Sequence, residues 1–186
     1  MVTSMTAALR RPMSVDAFLD WEERQELRHE FDGAAPLAMV GGTEAHALIA
    51  GNIAFALRSR LPPGCRIYGS DLKLRMAASV RYPDAMVVCR PASLRATFVT
   101  DPVVVFEVLS DSTSYTDRLV KSREYRDIAT LARYVIVEQS AIGAMVFERP
   151  DWRGQPILGG EARLAMPELG IDIALAELYA GLDFAA

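Results

Sequence analysis

The sequence predicts an α/β fold in which a central mixed β-sheet is flanked by α-helices. Three observations carry that expectation. RYPDAMVVC (81–89) and VVVFEVLS (103–110) contain apolar runs of strand length, interrupted only by Asp84 and Glu107. Two segments, beginning at Ser14 and Thr43, carry apolar residues at helical spacing. A long helical pattern then separates the strand at 103–109 from one at 134–138, which favours a sheet mixed in direction and covered by helices.

The elements follow in order. Ser14 is a good N-cap for a helix running past Trp21 toward Arg28, with Val15, Phe18, Leu19 and Glu22 on one face. Gly33 suits a turn, and Leu37 to Val40 reads as a short strand before Gly41-Gly42. Thr43 caps a second helix from Glu44 to about Arg60, whose stripe is Ile49, Ile53, Ala56 and Leu57, ended by Pro62-Pro63-Gly64. Leu72, Leu74 and Met76 alternate with Asp71, Lys73 and Arg75, the period of a half-buried strand. Ser112 to Thr116 leads into a helix from about Asp117 to Thr130. Arg133–Glu138 and Ala144–Glu148 form a hairpin around Ser140–Gly143, and Asp172 precedes a last short helix ending near Gly181.

At 186 residues the chain fits one domain, expected over 14–182 after a tail at 1–13. A composition 51% hydrophobic and 24% charged argues against disorder. No apolar stretch is long enough for a secretory signal or a membrane span, so a cytoplasmic protein is expected. Cys65 and Cys89 lie in or beside apolar stretches without companions at metal-ligand spacing, which reads as buried, reduced thiols. A net charge of −4 gives no global attraction for nucleic acid, so any such contact must come from a local basic patch. Lys73 and Arg75 on one strand, with Arg118 and Arg123 on the helix, are the candidates, although a solvated charged face is the better account of any one of them.

The chemistry lies in the interrupted strands. A carboxylate in a strand buried on both faces costs several kcal/mol, on the order of a buried ion, unless it is satisfied. Glu107 shares a face with Val103, Val105 and Leu109, and Asp84 stands near a strand end after Pro83. The two could converge on one divalent ion, which prefers hard oxygen ligands; taken singly, each is better explained by pairing with a nearby arginine. The helix at 117–130 puts Asp117, Lys121 and Tyr125 on one face at spacings of four. Lys121 can then point back to the end of the Glu107 strand and stabilise charge on a phosphate. From spacing alone, an Asp117–Lys121 surface pair is the better account.

The ordered set HEFDG, GSDLKLR, YPDAMVV, VFEVLSDST and DRLVKSREY resembles the Uma-two family, a bacterial group in the PD-(D/E)XK superfamily, from about Ser14 to Tyr179. The resemblance implies a restriction-endonuclease-like core and an endonuclease that hydrolyses DNA. It implies Asp84 and Glu107 as ligands of Mg²⁺ or Mn²⁺, together with the backbone carbonyl of Val108. Position 109 is Leu where the superfamily places its lysine, and the lysine matches Lys121 on the following helix. Glu30 matches a glutamate of the family's N-terminal helix and would anchor a water or a second ion. A histidine matches His46, with a phosphate contact or proton transfer as its role and a satisfied structural ring as the equal alternative. The family often has an acidic residue where this chain has Ala34, and the turn is one residue short. A homodimer is implied as well.

Two rivals stand beside the nuclease. One keeps the fold without catalysis and serves DNA binding or regulation. The other is a hydrolase using Ser110 or Cys89, for which neither His29 nor His46 stands in a triad arrangement.

Overall fold

The computed structural model describes residues 13–109 and 120–184. Most of the expected tail, together with Ser110, Asp117 and Arg118, lies outside the described residues; Met13 packs beside Phe18, Phe31 and Val80.

Helix α1 (Val15–Glu22) starts where expected, the Ser14 hydroxyl accepting from the Ala17 N–H. It stops six residues short of Arg28. Beyond Trp21 no apolar residue continues the buried face, and the Gln25 side-chain amide occupies the Trp21 carbonyl. Strands β1 (His29–Phe31) and β2 (Pro36–Ala38) form a hairpin. Gly33 takes φ 89 in its turn, and Asp32 accepts from the Ala34 and Ala35 N–H groups. Burial alone would raise the Asp32 pKa, but these two N–H donors and the charge of Arg81 hold it below the usual value. Thr43 caps α2 (Glu44–Arg58), and the whole predicted stripe of Ile49, Ile53, Ala56 and Leu57 is buried.

The middle of the chain supplies β3 (Arg66–Gly69), β4 (Lys73–Arg75), β5 (Val80–Arg81), β6 (Ala85–Val88), β7 (Phe98–Val99) and β8 (Val104–Val108). The helix expected over 117–130 is, in its described part, a π-type turn at 120–121 followed by α3 (Ser122–Arg126). Strands β9 (Arg133–Val137) and β10 (Gly143–Glu148) make the predicted hairpin, and β11 (Gln155–Leu158) extends it. Asp172 proves to lie inside a strand. β12 (Arg163–Met166) and β13 (Ile171–Ala174) pair around it, and a short 3-10 turn (Leu175–Tyr179) replaces the expected last helix.

Two larger sheets result. One has six strands in the order β11-β10-β9-β8-β6-β3, antiparallel except for the central β8–β9 pair. The other has five, β2-β1-β5-β4-β7. The expected mixed sheet is present, and its two faces are covered differently. On one face α2, β12–β13 and the 3-10 turn bury Val104, Phe106, Val108, Val135 and Val137. On the other, Val105, Leu109, Tyr134 and Ile136 meet Tyr125 and Leu131 and, from the second sheet, Leu74 and Val99. A sheet thus does much of the covering expected of helices. Val103 precedes β8 and packs against the α2 side, away from the face of Glu107 on which the sequence placed it. No described helix is long and apolar enough to cross a membrane.

The cysteines correct the sequence reading. β3 and β6 pair Arg66 with Val88, and one step further along that register brings Cys65 opposite Cys89, where they form a disulfide. Their separation of 24 residues hid a pairing that depends on register.

Charge also docks α1 on the second sheet. The Lys73 ammonium lies 2.7 Å from Glu22, and the Tyr82 hydroxyl donates to the same carboxylate at 2.8 Å. Burial alone would raise the Glu22 pKa, but bonds from Lys73 and Tyr82 outweigh it and hold the group below its usual value. A lowered carboxylate pKa contributes stability that is complete above the unfolded value and is lost as pH falls through the folded one. Glu22→Gln is therefore expected to cost about 2 kcal/mol at neutral pH in chemical denaturation. The gap to wild type should narrow as pH falls below about 4.5.

Candidate active site

Glu107 is the second-last residue of β8, flanked by Phe106 and Val108, and is 4% exposed. Strand alternation turns it toward the face that carries Val105 and Leu109. There its Oε1 accepts from the Tyr125 hydroxyl at 2.7 Å and lies 3.1 Å from Lys121 Nζ. Lys121, at the N-cap of α3, and Tyr125 stand four residues apart, so both reach down from one helical face; Lys121 is buried, where spacing alone favoured a place on the surface. Burial, with the charge of Glu107 next, pushes the Tyr125 hydroxyl well above its ordinary value, so it stays a proton donor.

Asp84 comes from the neighbouring strand. β6 and β8 pair Ala85 with Phe106, and continuing that register places Asp84 across from Glu107. Here the β6 ladder ends, and the Asp84 side chain replaces it: Oδ2 accepts the Val108 N–H at 2.7 Å. A strand residue sends its N–H and C=O to the same side, so the Val108 carbonyl leaves toward the same edge. His46, in the first turn of α2, brings Nε2 to 3.2 Å from Asp84 Oδ2. The structure thus sets His46 against the candidate site. Gly42 leaves the space for that ring, since a Cβ there would lie 3.0 Å from its Cγ and Nδ1.

Glu30 corrects the family expectation of a helical glutamate: it sits on β1, in the second sheet. β1 and β5 pair Phe31 with Val80, so Glu30 faces Arg81 across the strands. Its Oε2 accepts from Arg81 Nη1 at 3.1 Å, and its Oε1 accepts the Tyr82 N–H at 3.1 Å and lies 3.5 Å from Lys121 Nζ. Lys121 is therefore held between a carboxylate of each sheet.

Sequence reasoning missed Arg81. It is 1% exposed and grips Glu124 of α3 with two bonds of 2.8 Å while holding Glu30. Burial pulls its pKa down, yet Glu124 and Glu30 outweigh that and hold it above the ordinary arginine value. The available signal was a cation three residues before Asp84, in a stretch otherwise apolar. Of the basic candidates for DNA, Lys73 is engaged by Glu22 and Arg75 by Asp16, whereas Arg123 is exposed.

Among the described residues, no three His, Cys, Asp or Glu side chains form a ready-made metal cage. The donors present are a pair of carboxylates on adjacent strands and a backbone carbonyl. No described group hydrogen-bonds to Asp84 Oδ1, and the side chain is 14% exposed. That hard, sparse oxygen set fits Mg²⁺ or Mn²⁺, of which Mg²⁺ keeps several of its own waters, better than a metal needing a full protein cage.

A family profile described as a putative restriction endonuclease, Uma2, matches residues 15–176. Two uncharacterized proteins of Synechocystis sp. are similar: one is 34% identical over 178 residues, covering 92% of this chain and 94% of the relative. The other is 30% identical over 146 residues, covering 73% and 80%. The crystal structure of a putative nuclease belonging to DUF820, from Anabaena variabilis, superposes with a TM-score of 0.74 at 15% identity, covering 91% of this chain and 98% of that one. That likeness establishes the fold. With a profile match running from α1 into the terminal 3-10 turn, the chain belongs to the Uma2 family, the Uma-two group of putative restriction endonucleases.

Proposed function

We propose that this protein is a metal-dependent endonuclease hydrolysing DNA phosphodiester bonds. The observation that carries the reading is Lys121: a nearly buried ammonium held between Glu107 and Glu30, beside the edge where Asp84 faces Glu107. A purely structural ion pair does not require a second acid, from the neighbouring strand, at the same edge.

Asp84, Glu107 and the Val108 carbonyl would hold Mg²⁺ or Mn²⁺, which supplies Lewis-acid polarisation of a phosphate oxygen. The chain's own groups do the rest. Lys121 offsets negative charge as it grows on the phosphate and directs the attacking water. Tyr125 fixes the Glu107 carboxylate by donating to it. Glu30 holds Lys121 from the far side and offers an acceptor to a water. His46 orients Asp84, and its exposure leaves it within reach of a phosphate.

Calorimetric titration of Mg²⁺ and Mn²⁺ tests the metal site. Wild-type protein is expected to bind saturably, and Asp84→Ala and Glu107→Ala to abolish binding. A folded wild type that binds neither ion, with or without DNA, would favour the non-catalytic family member. Cleavage of plasmid DNA should require the metal, and its persistence in excess EDTA would sink the reading. Lys121→Gln, which still offers Glu107 a donor, should keep metal affinity within a few-fold. Its cleavage should fall about 10²–10³-fold, the size expected for one lost stabilising donor.

A further inference from the structure

The chain has 20 basic residues in Lys and Arg together, and only Lys73 and Lys121 are lysines. Both are nearly buried, and each engages a buried glutamate that also accepts from a tyrosine: Glu22 with Tyr82, and Glu107 with Tyr125. The two clusters differ in what surrounds them. Lys73 rests on α1 and its own sheet, whereas Lys121 spans two sheets and depends on how α3 sits between them.

Arg81 governs that placement. Its guanidinium forks onto both oxygens of Glu124, three residues after Lys121, and its remaining arm holds Glu30. One buried, planar cation thereby grips the helix that carries Lys121 and the carboxylate on which Lys121 leans. An ammonium could not make the paired bonds and the third one from a single rigid plane. We infer that Arg81 is a positioning residue that sets the place of the Lys121 ammonium over Glu107. The catalytic consequence rests on the nuclease reading above; the positioning does not.

Two lysines make the test clean. Lysine labelled with ¹³C at Cε gives two signals, assigned with Lys73→Arg. In wild type the Lys121 Cε is expected to relax as an immobilised group. In Glu124→Gln, which removes the charged half of the fork at a partly exposed position, and in Arg81→Met, that signal is expected to shift and lose its restriction. Lys73 should stay unmoved. Arg126→Gln, on the exposed side of α3, should change neither. Should Arg81→Met fail to fold, Glu124→Gln carries the test alone. A Lys121 signal that keeps its wild-type position and relaxation in Glu124→Gln would overturn the inference. So would movement of both lysines together, which would mark general loosening of the fold. If the protein cleaves DNA, Glu124→Gln should lower kcat by up to about 100-fold at unchanged KM, the scale for a group misplaced by about 1 Å. Loss of the Lys121 restriction in a protein that cleaves nothing would support the positioning and refute only the nuclease.

Discussion

A carboxylate in the middle of a buried strand is the constraint around which this molecule is arranged. Left alone, Glu107 would cost β8 several kcal/mol, on the order of an unpaired buried ion. Tyr125 and Lys121 remove that cost only if α3 lies close over the sheet. The Lys121 ammonium carries three N–H donors, more than one Glu107 oxygen takes, and Glu30 faces it from the second sheet. Glu30 is then held by Arg81, and Arg81 by Glu124. Signs alternate along the chain of contacts from Glu107 to Glu124, and each member is where it is because its neighbour would otherwise be an uncompensated charge.

The two-sheet architecture makes that chain possible. The six-stranded sheet presents Asp84 and Glu107, the five-stranded sheet presents Glu30 and Arg81, and α3 enters between them with Lys121 and Glu124. Apolar contact from Leu74 and Val99 onto the face of Val105 and Ile136 keeps the layers together. The charges are insulated by packing on that face, and they open to the surface at the edge where Asp84 meets His46. The site lies at the seam between the layers.

The sequence was most legible where one element decides the outcome. The α2 stripe, the β9–β10 hairpin and the carboxylates standing in apolar runs follow from local periodicity, whereas the inward reach of Lys121 was implied by the family resemblance against a spacing that favoured a surface pair. What depended on partners was hidden. In the second sheet only β2 and β4 showed in the sequence; β1, β5 and β7 are two or three residues long, so Arg81 went unnoticed and Glu30 was placed on a helix by the family resemblance alone. Lys73 and Arg75 looked like a free basic face because their acids, Glu22 and Asp16, lie some fifty residues or more away on α1. Cys65 and Cys89 required knowledge of strand register. Asp172 looked like a helix start because its strand partner, Ala165, belongs to a hairpin that no strong turn signal announces.

The contact between Gly42 and the His46 ring ties two positions together by size. Any side chain at 42 must displace the imidazole by a few tenths of an ångström, and the ring has Asp84 as its neighbour on the far side. The glycine therefore acts as a spacer for the histidine, with no chemistry of its own. Descendants of this sequence that kept the histidine would be held to glycine at 42. A lineage that replaced it with something smaller would be free to vary there, so the two sites should drift as a pair.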